Sequence, residues 1–399
     1  MATMSRTIPA LRLARRMSRL GTETAFEVLV KARALERQGK HVVHMEIGEP
    51  DFATPSNIVD AAVEALHKGW THYGPSAGLP DLRQAIADEV NRSRGIPVTV
   101  EEVVVVPGGK PIIFFLIMAL VEEEDEVIYP NPGFPIYESM IRFIGGKPVP
   151  IRLREELDFC LDVNELADLI TDRTKLIILN SPQNPTGGVL SSRDIRHIAE
   201  AIGDRDIMVL SDEIYSRLIF DGEHHSIAAE DGFKERTVIL DGFSKTYAMT
   251  GWRMGYGVMR ADLATHIARL MTNSNSCTAS FTQVAGIEAL RGEQSSVEFM
   301  RREFQHRRDI FVDGINRIRG FSCRRPKGAF YTFPNIRQTG WPSKKLADAL
   351  LEEAGVACLS GTAFGDFGEG YLRFSVANSI DNIQAALRAI EEWTKKNLS

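Results

Sequence analysis

The chain has 399 residues, 44% hydrophobic and 25% charged, with a formal net charge of −6. This supplies a sizeable core and fits two domains. The negative balance argues against nucleic-acid or anionic-membrane partners, and no apolar run is long enough to span a bilayer.

Four cysteines, Cys160, Cys277, Cys323 and Cys358, are scattered without a C-x-x-C pair, which suits free thiols in a reducing, cytoplasmic setting. The histidines show no ligand spacing, and no metal is expected. His224-His225 reads as a surface pair, and the acid run 122–126 as a solvated loop. Arg6, Arg12, Arg15, Arg16 and Arg19 precede the first acid, Glu23, in the manner of a transit peptide. The segment lacks a secretory apolar core and runs straight into a helical pattern, so a basic arm packed on the protein is expected.

In chain order, a helix is predicted over 25–38, ended by Gly39. A strand over 42–47 runs into Gly48-Glu49-Pro50-Asp51. Helices follow over 56–67 and 81–94, separated by the Gly- and Pro-rich loop from Thr71 to Pro80. Strands and helices then alternate. The strands 103–106, 127–129, 176–179, 207–210 and 238–240 are continuous apolar runs, as expected of strands buried on both faces. Each stops in a polar or glycine-rich turn: Gly108-Gly109-Lys110, Phe134, Asn184-Pro185-Thr186-Gly187, Asp212-Glu213-Ile214-Tyr215 and Ser244-Lys245. After about residue 290 come a long helix over 296–318, a strand over 326–333, a helix over 346–353, a loop over 360–365, a strand over 371–375 and a closing helix over 380–397.

Alternating buried strands and helices predict an α/β fold with a mostly parallel sheet. Residues 1–54 are expected to form an N-terminal arm and part of a smaller α+β domain, 55–290 the large domain, and 291–399 the rest of the small one. In open α/β sheets ligands sit beyond the carboxyl ends of the strands. The turns after those strands therefore converge on one site.

One turn carries specific chemistry. Lys245 follows an apolar strand among small and hydroxylated residues, and Arg253 stands eight places on, behind Gly251. A lysine on a tight turn suits Schiff-base formation. An arginine fork suits a phosphate. Together they suggest pyridoxal phosphate (PLP). Taken alone, the stretch reads equally as a solvated lysine and an ordinary ion-pairing arginine.

The ordered set decides. Gly48-Glu49-Pro50-Asp51, Tyr73 to Gly78, Gly108-Gly109-Lys110, Asn184 to Gly187, Asp212 with Tyr215, Ser244-Lys245, Gly251-Trp252-Arg253 and Arg373 together resemble the class I/II aminotransferases, the aspartate aminotransferase family of PLP fold type I. The resemblance covers nearly the whole chain. It implies a PLP-dependent transaminase that passes an amino group from an L-amino acid to a 2-oxo acid, 2-oxoglutarate by family expectation, in a ping-pong cycle.

Lys245 is then the Schiff-base lysine and proton shuttle, with its pKa lowered by burial. Asp212 keeps the pyridine nitrogen protonated, and Tyr215 and Asn184 bond the phenolic oxygen. Phe134 stacks on the ring, where the family more often has Trp or Tyr. Gly108, Gly109, Lys110, Ser244 and Arg253 belong to the cofactor site. Gly242 stands where the family often has a serine, which puts that phosphate contact in doubt. Arg373, with Gly48 and Asn184, takes the substrate carboxylate. Tyr73 reaches the neighbouring subunit's cofactor, so a homodimer with shared sites is implied. Two alternatives stay open: a β-lyase on the same scaffold, and a non-catalytic PLP-binding regulator. Side-chain specificity is not legible, with the N-terminal arginines or Arg142 as candidates for a distal carboxylate.

Overall fold

The computed structural model describes residues 11–398. In chain order the strands are β1 (Val43–His44), β2 (Val103–Val106), β3 (Glu126–Asn131), β4 (Lys147–Arg154), β5 (Cys160–Leu161), β6 (Thr174–Asn180) and β7 (Met208–Asp212). They continue as β8 (Thr237–Gly242), β9 (Gly255–Val258), β10 (Tyr331–Thr332), β11 (Val356–Ala357), β12 (Leu359–Ser360) and β13 (Leu372–Ser375).

Eight strands make one sheet in the order β2-β9-β8-β7-β6-β3-β4-β5. The run from β8 through β7, β6 and β3 to β4 is parallel. The exceptions are β9, antiparallel to both β2 and β8, and β5, antiparallel to β4. Side-chain alternation explains why the strands are apolar throughout. Val104 and Val106 enter the core on one face with Ile112, Leu116 and Tyr137, and Val103 and Val105 enter the core on the other with Leu82, Ile86 and Met254. Both faces are covered, so no residue of the strand is left for water.

The smaller α+β part joins the two ends of the chain. β1 pairs in parallel with β11, and β10-β13-β12 form an antiparallel sheet. The helices Ser295–Ile315, Ser343–Ala354 and Ile380–Asn397 pack there. Val43 and Met45 share its core with Phe304, Phe311, Leu350, Phe374 and Ile390. The N-terminal arm packs on the large part: Arg19 Nη2 donates to Phe143 O at 3.1 Å, and Gly21 N donates to Ser139 Oγ at 2.9 Å. Arg6 lies outside the described residues. No helix among the described residues is long and apolar enough to cross a membrane.

Some sequence expectations need correction. The strand predicted over 326–333 is only β10, because Pro326 has no N–H to give a ladder and the Lys327 and Gly328 N–H groups both donate to Gly187 O. The loop predicted over 360–365 begins in β12 and then coils as a short 3-10 helix. Glu126 is not part of a solvated loop. It opens β3, buried, and holds Lys147, Arg173 and Thr171. The Lys147 hydrogen bond leads in pulling its pKa down to about 2. His224 is no surface residue either, since its Nε2 lies 2.8 Å from Glu213 Oε2.

That Glu213 belongs to a buried ionic knot behind the sheet. Arg94 Nε meets Glu213 Oε2 at 2.9 Å, and Arg94 Nη2 meets Asp241 Oδ2 at 2.6 Å. Ser211 and Ser226 hydroxyls donate to Glu213. Burial would raise the Glu213 pKa, but His224 and Arg94 hold it well below the usual carboxylate range. Removing one partner of such a knot strands the other charges in a dry interior. Arg94→Met is therefore expected to lower unfolding free energy by about 3–5 kcal/mol, read from the shift in urea midpoint. A change under a fifth of that would show that the knot contributes little to stability.

Candidate active site

The carboxyl ends of β2, β3, β6, β7 and β8 open into a single cavity of about 510 Å³. Of the sequence-predicted residues, Gly48, Gly109, Lys110, Phe134, Asn184, Asp212, Tyr215, Ser244, Lys245, Arg253 and Arg373 line it. Gly108 and Tyr73 do not. Tyr73 is 89% exposed in this single chain. Arg142 is also absent from the lining in this single chain, and pairs with Glu138 at 2.7 Å.

Lys245 sits in a tight turn just after β8. Phe243 and Met249 anchor the turn in the core, and Tyr247 N and Met249 N close it on Phe243 O and Ser244 O. The Lys245 ammonium donates to Gly48 O at 2.5 Å. Burial pushes its pKa down to about 8. Arg373 and Arg253 add to the fall, and Glu49 opposes it. A larger fraction of free amine than an exposed lysine offers is thus available close to physiological pH.

Asp212 ends β7. Tyr137 Oη donates to its Oδ2 at 2.6 Å, and Ile214 N donates to Oδ1 at 3.3 Å. Burial lifts its pKa to about 6. The two donors pull against this, while Asp241 and Glu213 add to it. A cation brought against this carboxylate would restore its full charge.

Arg373 is carried by β13 and is buried. Its Nη1 donates to Asn184 Oδ1 at 3.2 Å, and its Nη2 donates to Glu46 O. Its Nε is buried without a partner. The guanidinium as a whole lines the cavity, and a carboxylate matches its fork. Asn184 is oriented by its own N–H, which donates to Asn180 Oδ1 at 3.0 Å.

Arg253 takes a left-handed backbone (φ +51°) and donates from Nη1 to Thr250 O at 2.8 Å. Gly108 serves it indirectly, since a Cβ there would overlap the guanidinium. Gly109 caps the helix Lys110–Leu120, and the N-terminal end of that helix borders the cavity, a setting that favours a phosphate. Ser244 adds a hydroxyl. Lys110 is otherwise engaged: its ammonium pairs with Glu23 and lies 5.6 Å from the Phe134 ring centre.

Sequence reasoning missed Tyr137, Tyr331, Glu23 and Phe364. Tyr137 had one usable signal, its place three residues after Phe134 on a helix pointing into the site; the two rings meet edge to face at 5.7 Å. Gly48 also serves differently from the expectation. Its missing side chain makes room for the Tyr331 hydroxyl, and its carbonyl receives Lys245.

The sequence profile described as "Aminotransferase class I and II" matches residues 40–390. The chain belongs to that family. It is 41% identical to the aspartate aminotransferase of Pyrococcus abyssi, across 88% of this chain and 92% of that one. It is 39% identical to aromatic-amino-acid aminotransferase 2 of Thermococcus litoralis, across 89% and 92%. Among solved structures it resembles the aspartate aminotransferase of Rhizobium meliloti, with a TM-score of 0.93 and 35% identity over 98% of this chain and all of that one. This aminotransferase is a fold type I enzyme that moves an amino group between an amino acid and a 2-oxo acid, and members of its family depend on PLP.

The Lys245 environment is testable without cofactor. Trinitrobenzenesulfonate labelling of the cofactor-free protein should single out Lys245 with a midpoint near pH 8, the amine reacting as it deprotonates on the way up. A midpoint near that of surface lysines would mean that burial does not tune this amine.

Proposed function

We propose that the cavity holds PLP between Lys245 and Asp212. Lys245 carries the aldehyde carbon, and Asp212 faces the pyridine nitrogen. Phe134 packs on the ring, Asn184 and Tyr215 serve the phenolic oxygen, and Gly108, Gly109, Ser244 and Arg253 serve the phosphate. Tyr73 completes the phosphate site of a second copy. The carrying observation is that Lys245 and Asp212, in one cavity, are each pushed toward neutrality by burial. An aldehyde needs a free amine, and a ring N–H⁺ needs a buried carboxylate. The room that Gly108 leaves for Arg253 fits the phosphate end.

When bound, the cofactor's ring draws electrons from the substrate's α-carbon, so its proton becomes removable. Lys245 Nζ, freed once the substrate's own amine takes its place on the aldehyde carbon, would take that proton as base and return it as acid. Arg373, held by Asn184 Oδ1 and Glu46 O, fixes the α-carboxylate.

The donor is proposed to be dicarboxylic, with 2-oxoglutarate as acceptor. The cations lining the cavity are Lys110, Lys245, Arg253 and Arg373. Three already have tasks, and Lys110 remains. Glu23 pairs with it and so stands where a distal carboxylate would. The aspartate aminotransferases among the similar proteins support this. Phe26, Ile47 and Phe364 in the same wall favour a second reading, an aromatic donor, as in the name of the Thermococcus relative.

A homodimer is proposed as well. Val59, Val63, Leu66 and Trp70 lie exposed on the helix Ser56–His67 and the turn after it, close in sequence to Tyr73, and a second copy would cover them. The division at residues 54/55 and 290/291 and a cytoplasmic location belong to the same proposal. The separate core shared by Val43, Met45 and the C-terminal helices supports the former, and four unbonded cysteines suit the latter.

Borohydride reduction of the PLP-loaded protein, followed by peptide mapping, should place the pyridoxyl group on Lys245. A label elsewhere removes Lys245 from its role. Lys110→Ala should cut kcat/KM for aspartate by about 10- to 100-fold and leave alanine or phenylalanine nearly unchanged. Arg373→Ala should raise KM for every donor. Pyruvate and ammonia release without an acceptor would instead point to a β-lyase, and cofactor binding without any turnover to a regulator.

A further inference from the structure

Tyr331 stands where two parts of the site meet. It lies on β10, opposite Ser375 of β13 and two residues out of register from Arg373, so the two side chains are diagonal neighbours on one sheet. Its ring lies 4.4 Å from the Arg373 guanidinium carbon, with Phe364 at 4.8 Å from the same carbon. Its hydroxyl lies 2.8 Å from the Tyr215 hydroxyl. It is 2% exposed, and the bare Gly48 backbone leaves the space its hydroxyl fills.

We infer that Tyr331 is a positioning residue that sets both the donor strength of Tyr215 and the pose of Arg373. The inference rests on the reading given above for those two residues. A phenol has one proton. When Tyr215 donates that proton into the cavity, its oxygen is free only to accept, and Tyr331 is the donor facing it. Each bond then polarises the next, so the Tyr331 hydroxyl makes Tyr215 a stronger donor. The ring has a separate task. It holds the cationic fork flat while Asn184 Oδ1 and Glu46 O take its ends.

Two substitutions separate the tasks. Tyr331→Phe keeps the ring and loses the hydroxyl. Tyr331→Leu loses both. The PLP-loaded enzyme is titrated by visible absorbance without substrate. Tyr331→Phe should raise the pH midpoint of that titration by about half a unit, the size expected for loss of one neutral hydrogen bond, because a weaker Tyr215 donor leaves the phenolic oxygen more basic. KM for amino donors should stay within about 2-fold of the parent. Tyr331→Leu should show the same spectral shift and raise KM for every donor by about 2- to 30-fold. In a Tyr215→Phe background, Tyr331→Phe should cause no further shift.

A shift from Tyr215→Phe with none from Tyr331→Phe overturns the inference alone. No shift from Tyr215→Phe overturns the assignment of Tyr215 and this inference together. A shift from Tyr331→Phe that persists without the Tyr215 hydroxyl shows that Tyr331 acts by another route, and likewise overturns it.

Discussion

Asp212 is buried and Lys245 half-buried at the strand ends, and the loss of water around each shifts its pKa toward the neutral form. A carboxylate with a pKa of about 6 and an amine with one of about 8 lie closer together than the same groups do in solvent. The sheet enforces this. Parallel pairing sets Asp212 beside Leu240 and so brings the turn after β8 level with the end of β7. Both groups then face one cavity, backed on every side by apolar strands. Each pKa is thus set by the groups that the fold places around it at the strand ends.

The back of the sheet answers the same constraint. Asp212 has two further carboxylates nearby, Glu213 and Asp241, and both raise its pKa. Uncompensated, three buried carboxylates would not stay folded together. Arg94 bonds two of them and leaves the third to the cavity. His224, Ser211, Ser216 and Ser226 complete the knot. Stability on one face and poise on the other thus draw on the same residues of β7 and β8. Substitutions in the knot act on both, and a loss of activity there says nothing by itself about contact with substrate.

The parts legible in the sequence were those fixed by short-range physics. Apolar runs such as Val103–Val106 and Val238–Leu240 announced buried strands, and the polar turns after them gave most of the cavity's lining. The parts missed were those in which packing overrides propensity. The strand β9 is Gly255-Tyr256-Gly257-Val258, half of it glycine, which is depleted in strands. Its glycines are demanded by neighbours, since a Cβ at Gly255 would meet Gly109 N at 2.8 Å and one at Gly257 would meet Ile112 Cδ1 at 2.8 Å. β4 carries Pro148 and Pro150, which demote a run read from sequence alone. Tyr331 and Glu23 reach the site from opposite ends of the chain, and no local pattern marks a contact of that kind.

Glu23 also explains how a cavity rich in cations stays folded without a substrate. Lys110, Lys245, Arg253 and Arg373 share one enclosed space, and mutual repulsion there is screened less than at a surface. The protein supplies stand-ins: Glu23 for Lys110, Gly48 O for Lys245, Thr250 O for Arg253, Glu46 O and Asn184 for Arg373. Four of these five are neutral oxygens, which a carboxylate or phosphate outcompetes through stronger charge-assisted bonds. Only Lys110 has a full counter-charge, and that charge sits beside the N-terminal helix Thr24–Arg37 rather than on the sheet. A ligand that engages Lys110 must displace Glu23, so binding at Lys110 and the position of that helix are thermodynamically linked.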